Sequence, residues 1–190
     1  GEGGLVWTKA RTSGVSAGHI LGFPGASYVL RTEDTGWNWT SLSSMYTAFN
    51  SNGYSITNNS YVNETNKDFG SWSFRKAKKF FDIVTYTGNG VAGRNISHAL
   101  GSSVGMMIVK RTDSSSSWWV WHTGIGTNYI SLQSTSPQAG GGIVWNSTAP
   151  TSAVFTVADD ANTNGGTFVA YLFATGAGGY GEDGDESIIK

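Results

Sequence analysis

The chain repeats itself, and that limits its fold more than any other feature. Gly4-Leu5-Val6-Trp7-Thr8-Lys9-Ala10-Arg11 returns as Gly105-Met106-Met107-Ile108-Val109-Lys110-Arg111, with Lys9 and Lys110 separated by 101 positions. Tyr28-Val29-Leu30 matches Tyr129-Ile130-Ser131-Leu132 at the same spacing, and Ser71-Trp72-Ser73-Phe74 matches Ala170-Tyr171-Leu172-Phe173 at a spacing of 99. Phe49 with Gly53-Tyr54-Ser55-Ile56 corresponds more loosely to Ala153-Val154-Phe155-Thr156-Val157. Phe81-Asp82-Ile83-Val84 parallels Glu186-Ser187-Ile188-Ile189, so the last residues read as the opening of a further copy. Matches in one conserved order imply tandem copies of a single structural unit.

The unit is built of strands. Residues 5–9, 27–31, 71–74, 81–87, 106–111, 118–122, 129–132, 153–157 and 167–173 are short runs rich in β-branched and aromatic side chains. They are separated by Gly, Asn and Ser clusters such as Thr87-Gly88-Asn89-Gly90, the pattern of a sandwich or jelly roll. No segment keeps a helical period, and residues 45–49 come nearest to a helical turn. The expected fold is all-β, an antiparallel β-sandwich with jelly-roll character in two tandem related modules, 1–79 and 80–190. These are either separate or merged into one larger sandwich. The first residues, Gly1-Glu2-Gly3-Gly4, and the last, Ser187-Ile188-Ile189-Lys190, suggest a segment of a longer or processed polypeptide.

Composition narrows the function. Charged residues are 13% of the chain and aromatics 13%, with 27 Gly. Aromatic richness sets it apart from disordered chains, so hydroxyls and amides carry its solubility. A net charge of −1 supplies no positive field for a phosphate backbone, which argues against nucleic acid as the main ligand. The chain has no Cys, which removes disulfides and thiolate metal sites. No apolar run reaches the roughly 20 residues of a membrane-spanning helix, so no membrane insertion is expected.

Taken together, Gly-Leu-Val-Trp-x-Lys-x-Arg at residues 4–11, Phe49-Asn50-Ser51-x-Gly53-Tyr54, Phe80-Phe81-Asp82-Ile83-Val84-Thr85-Tyr86-Thr87-Gly88-Asn89-Gly90, Ile96-Ser97-His98-Ala99-Leu100-Gly101 and Met107-Ile108-Val109-Lys110-Arg111 resemble a recurrent module. Such modules are found in large tail-fibre-like structural proteins of bacteriophages, and are similar to lectin-type, concanavalin-like sandwiches. The resemblance covers nearly the whole chain and implies a virion or extracellular location and a non-enzymatic role. The implied role is that of a fibre, tail or capsid-decorating module, packing against copies of itself or neighbouring virion proteins and attaching to host-surface glycans. It implies no catalytic residue and no cofactor. In one departure, residues 71–74 run into Arg75-Lys76-Ala77-Lys78-Lys79, more basic than the stretch after Phe173.

Several motifs suggest chemistry and then lose their context. Gly14-Val15-Ser16-Ala17-Gly18 fits the nucleophile-elbow pattern, but Ile20-Leu21-Gly22-Phe23-Pro24-Gly25 cannot supply the helix an elbow needs. Gly88-Asn89-Gly90-Val91-Ala92-Gly93 fits the dinucleotide fingerprint, yet residues 94–100 leave no room for the helix that would face a pyrophosphate. His19, His98 and His122 have no metal-ligand spacing. Glu182-Asp183-Gly184-Asp185-Glu186 makes Asp183 and Asp185 weak calcium candidates, without the spacing of a calcium loop. No strand carries the carboxylate pair of a glycosidase. Five Asn-x-Ser/Thr sites, at Asn38, Asn58, Asn63, Asn95 and Asn146, are expected in a chain this rich in Asn, Ser and Thr.

The tryptophans remain. In Trp118-Trp119-Val120-Trp121-His122 the strand period puts Trp119 and Trp121 on one face and Trp118, Val120 and His122 on the other. One face should be core, at about 1.5–3 kcal/mol per large apolar side chain. An exposed ring beside amides suits a sugar, which makes Trp37, Asn38, Trp39, Trp119 and Trp121 the candidate glycan contacts. The rival reading is the carbohydrate-binding portion of a polysaccharide-degrading enzyme.

Overall fold

The computed structural model describes residues 3–12 and 18–176. The chain divides into two compact units, Gly1–Arg75 and Lys76–Lys190. Both are built from antiparallel sheets in a sandwich-like arrangement.

In the first unit β1 (Gly4–Ala10), β2 (Ile20–Gly22), β3 (Tyr28–Arg31) and β4 (Thr40–Ser41) are followed by β5 (Tyr46–Asn50), β6 (Gly53–Ile56) and β7 (Phe69–Arg75). Five of them form a sheet in the order β4-β3-β2-β1-β7, and β5 and β6 form a separate hairpin. The hairpin covers one face of the sheet. Val6, Ile20 and Val29 of the sheet are buried with Met45, Tyr46 and Val62, and Phe49, Tyr54 and Ile56 pack at the margin. Of residues 45–49, where the sequence comes nearest to a helical turn, all but Met45 belong to strand β5. Asn50 and Gly53 close a two-residue turn, and the aromatic side chains of β5 stack instead of winding: the Tyr46 and Phe49 rings lie 5.7 Å apart.

In the second unit β8 (Phe81–Thr87), β9 (Arg94–Ser97), β10 (Val104–Arg111), β11 (Trp119–His122) and β12 (Ile130–Ser131) precede a single helical turn, α1 (Gly142–Trp145), then β13 (Val154–Val157) and β14 (Thr167–Ala174). The main sheet runs β12-β11-β10-β14-β8, and β13 pairs with β9. That pair and α1 lie over the face of the sheet carrying Met107, Val109, Ala170 and Leu172. Between them they bury Ile96, Val144, Trp145, Phe155 and Val157. The bulk of this core exceeds that of the first unit, because Trp119, Trp121 and Trp145 all contribute rings to it.

The two main sheets are copies at the level of hydrogen-bonded register. Leu5↔Phe74, Val6↔Ser73, Trp7↔Trp72, Thr8↔Ser71, Lys9↔Gly70 and Ala10↔Phe69 pair β1 with β7. Met106↔Phe173, Met107↔Leu172, Ile108↔Tyr171, Val109↔Ala170, Lys110↔Val169 and Arg111↔Phe168 pair β10 with β14 in the same order and without a slip. The next strand corresponds at a spacing of 99 residues, two fewer than the spacing of 101 between β1 and β10. Trp7 faces Leu21 and Val6 faces Gly22, whereas Ile108 faces Val120 and Met107 faces Trp121. Trp121 therefore corresponds to Gly22 and Trp119 to Ile20. A Cβ on Gly22 would stand 2.8 Å from the Tyr46 ring. The first unit fills with a hairpin tyrosine the space that the second fills with a strand tryptophan. Tyr46 is locked there by a 2.8 Å bond between its hydroxyl and Thr8 Oγ1, and burial pushes its phenol up to about 12.

Glycine geometry gives a stability test. A Cβ on Gly88 would meet the Thr163 carbonyl oxygen at 2.1 Å, while one on Gly53 meets nothing within 4 Å. Gly88→Ala should lower the unfolding free energy by about 1–3 kcal/mol through overpacking. Gly53→Ala should leave it within about 0.5 kcal/mol. Denaturant titration of the two variants checks both.

Candidate functional site

The sequence candidates separate by burial. Trp119 and Trp121 are only 9% and 4% exposed and sit in the core. Trp119 meets Tyr129 edge to face at 4.9 Å, and Trp121 donates its indole N–H to the Gly126 carbonyl at 2.6 Å. Both faces of β11 are covered, since Trp118 and Val120 are buried as well. The rings of Trp119 and Trp121 are committed to packing, and neither is offered to a ligand. The sequence alternation divides β11 into two faces but carries no sign of which is wet, because neither is.

Trp37, Asn38 and Trp39 lie in the first unit just before β4. Asn38 is exposed and the two tryptophans are half-buried. Trp39 is pinned: Tyr61 meets it edge to face at 4.3 Å, and the Arg31 guanidinium lies 5.1 Å from its ring centre. Arg31 is itself held by Glu33 at 2.6 Å. Trp37 stands edge to face with Tyr28 at 6.0 Å, and Tyr28 is 41% exposed. Tyr28, Trp37 and Asn38 thus place two aromatic rings and an amide on an accessible surface, while Trp39 is engaged by Tyr61 and Arg31. The sequence reading overlooks Tyr28, whose strand position suggests core. It also overlooks Trp72, 52% exposed on β7, because its place in an alternating strand gives no hint of an uncovered flank.

The chemical motifs resolve into structure. Of the Gly-x-Ser-x-Gly run, residues 14–17 lie outside the described residues, and a strand, β2, follows it instead of a helix. The Gly88–Gly93 loop leads directly into β9 and is fixed by Asn162, which is completely buried. Asn162 Oδ1 accepts the Asn89 backbone N–H at 3.1 Å and the Arg94 guanidinium at 3.2 Å. Its Nδ2 donates to Asn89 Oδ1 at 2.7 Å and to the Val91 carbonyl at 2.8 Å. An amide side chain thus occupies the donors that a phosphate would need. Nothing in the sequence marks Asn162 for this duty, because the partners are more than 65 residues away along the chain.

The histidines hold backbone and side-chain groups. His19 Nδ1 accepts the Trp7 indole N–H at 3.2 Å. His122 Nδ1 accepts Gly124 N–H at 3.0 Å. His98 spans two segments, with Nε2 3.2 Å from the Thr151 carbonyl and Nδ1 accepting Leu100 N–H at 3.3 Å. Among the described residues no group of three or more His, Asp or Glu is gathered for a metal. Asp183 and Asp185 lie outside the described residues. Lys110, wholly buried, donates to the Ser116 carbonyl at 2.7 Å and lies 5.7 Å from the Trp118 ring centre. These contacts hold the turn between β10 and β11.

A groove of about 600 Å³ opens in the first unit beside β7, bounded by Leu5, Pro24, Phe49, Tyr54, Ser73 and Phe74. Its lining is mainly apolar and includes the amides of Asn50 and Asn52.

Burial lowers the His98 pKa from its ordinary value, against the opposing pull of the Thr151 carbonyl and Asp82. Protonating Nδ1 would also sacrifice the bond from Leu100. The unfolded chain therefore takes up this proton first. The stabilisation is complete above about pH 6.5 and is lost as pH falls through that value toward the lower folded pKa. The urea midpoint should drop between pH 7.5 and pH 5, and His98→Gln should remove part of that dependence, the rest coming from His19, whose pKa burial also lowers. A second measurement separates core from surface: Trp121→Ala should cost about 3–5 kcal/mol, and Trp72→Ala less than about 0.5 kcal/mol.

No curated protein and no solved structure matches the chain. A family model, described as a domain of unknown function (DUF7483), matches residues 2–184 and so spans both units; the chain belongs to that family.

Proposed function

We propose that the chain is a non-enzymatic structural and binding module of a phage fibre, tail or capsid-decorating protein, located on the virion or otherwise outside the cell. The observation that carries this reading is the duplicated sheet, in which the β1–β7 ladder and the β10–β14 ladder share one register. Tandem copies of one β unit suit a protein whose task is to extend and to present surface. The polar groups that sequence motifs recommend for chemistry are engaged in holding loops. Asn162 clamps the Gly88–Gly93 loop, and His98 ties two segments together. A net charge of −1 favours neither nucleic acid nor an anionic membrane surface as partner.

The exposed group of Tyr28, Trp37 and Asn38 supports attachment to a host-surface glycan. Flat apolar rings cover the faces of a sugar while an amide bonds its hydroxyls, and aromatic side chains offer both area and a polar handle. The same group also supports the rival reading, a carbohydrate-binding portion of a polysaccharide-degrading enzyme.

A glycan array run beside a reducing-sugar release assay separates these readings. Retention on the array without sugar release is expected. Trp37→Ala and Asn38→Ala should each weaken retention about tenfold, the equivalent of about 1.4 kcal/mol, while leaving the thermal midpoint unchanged. Sugar release from any polysaccharide would overturn the non-enzymatic reading. Retention of no glycan would restrict the role to architecture.

A further inference from the structure

Asparagine stands before glycine at Asn52-Gly53, Asn89-Gly90 and Asn164-Gly165. Such a pair is reactive by itself. The glycine backbone nitrogen attacks the asparagine Cγ, closes a cyclic succinimide and expels ammonia. Water then opens the ring at one carbonyl or the other, leaving aspartate or isoaspartate. Glycine favours the attack because it has no Cβ to crowd the approaching nitrogen. The nitrogen and the carboxamide must also turn toward each other, so a folded chain allows the reaction only where its backbone opens locally.

The fold holds two of the pairs shut. Asn89 Oδ1 accepts the Val91 N–H at 3.0 Å and the Asn162 amide at 2.7 Å, while the Gly90 N–H donates to the Asn162 carbonyl at 2.8 Å. Both reacting groups of that pair are therefore committed. The Gly165 N–H donates to the Gly88 carbonyl at 2.9 Å, and the Gly88 N–H donates in turn to the Gly166 carbonyl at 2.7 Å. Opening either pair means pulling residues 88–90 away from residues 162–166.

Asn52-Gly53 is placed differently. It lies at the tip of the β5–β6 hairpin, a sheet of two strands among the described residues, and residues 50–53 are all exposed. Phe49 and Tyr54 are the last side chains of the hairpin to pack on the core, so the tip can open without disturbing it. Neither Ser51 nor Asn52 takes a positive φ, and the turn lacks the twist that best suits a two-residue loop. Apart from its chain neighbours, nothing stands within 4 Å of the place a Gly53 Cβ would take, which leaves the carboxamide room to swing.

We propose that Asn52 is a site of spontaneous deamidation, and that the fold protects Asn89 and Asn164 from the same reaction. Asn52 lines the groove beside β7. Its conversion sets a carboxylate on the groove wall, which then repels an anionic ligand and leaves a neutral one unaffected.

Trypsin places the three pairs in separate peptides, 32–67, 80–94 and 112–190. The intact chain is aged in mildly alkaline buffer, digested briefly and weighed. The mass gain of an amide-to-acid change should appear in 32–67 about tenfold faster than in either other peptide, because an exposed tip opens more readily than a clamped loop. Fragment masses should place that gain at Asn52. Aged in guanidinium, the unfolded chain should convert all three pairs at similar rates. Gly53→Ala should slow the gain in 32–67 severalfold and leave the other two peptides at their own rates. Equal rates in the folded chain, faster change in 80–94 or 112–190, or a gain at another asparagine of 32–67 would overturn the proposal. So would an undiminished rate in Gly53→Ala, or the folded chain's ranking persisting in guanidinium. A folded chain left unchanged after a time that converts the unfolded one would overturn it as well.

Discussion

Each unit depends on one long antiparallel ladder, β1 with β7 and β10 with β14. Every other strand is placed by reference to it. β2 and β11 pair on one side of the ladder, and the covering pieces settle on the face that its alternate residues make apolar. In the second unit those residues are Met107, Val109, Ala170 and Leu172. A shift of the ladder by a single residue would turn that set outward and present Ile108 and Tyr171 to the covering strands. The two units share this register over six consecutive pairs, up to the shift between Val104 and Met106 in the second, which shows how strongly the arrangement is specified.

What covers the ladder differs between units, and the covering layer accounts for most of their divergence. In the first it is the β5–β6 hairpin. In the second it is β13 paired with β9, a strand that precedes the main ladder in sequence. The second arrangement closes longer loops and brings residues from far along the chain into one polar network, centred on Asn162. A fully buried amide with its hydrogen-bonding capacity satisfied rigidifies the loop it serves. The Gly88–Gly93 turn therefore keeps its glycines for steric reasons. At Gly88 the nearest backbone oxygen leaves no room for a side chain, while Gly90 and Gly93 adopt positive φ.

Much of this fold is readable in the residues, and the unreadable parts have identifiable causes. β8, β10 and β14 announce themselves through β-branched and aromatic runs bounded by turn residues. β2 is only three residues long and sits between glycine-rich stretches, so periodicity has nothing to act on. β5 mimics a helical turn because its bulge between Tyr46 and Ala48 breaks the two-residue period. The surface group is half legible. Trp37 and Asn38 stand out in a polar loop, yet nothing local separates an exposed Trp72 from a buried Tyr171. Tyr171 has Ile108 on one side and Ile83 on the other, while Trp72 pairs with Trp7 of β1, and strand neighbours are not written into a five-residue window. For the same reason Trp119 and Trp121 look like binding residues: their burial comes from α1 and the β13–β9 pair, distant in sequence.

The exchange of Gly22 with Tyr46 for Trp121 bears on how two such similar sheets avoid confusion while the chain folds. A nascent β11 that annealed to β1 would deliver an indole to a place where even a methyl group collides with the tyrosine ring. A β2 that annealed to β10 would leave a void where the indole belongs. Repeated domains are prone to crossed assembly, and here the relocated aromatic acts as a key that admits each strand to its own sheet alone.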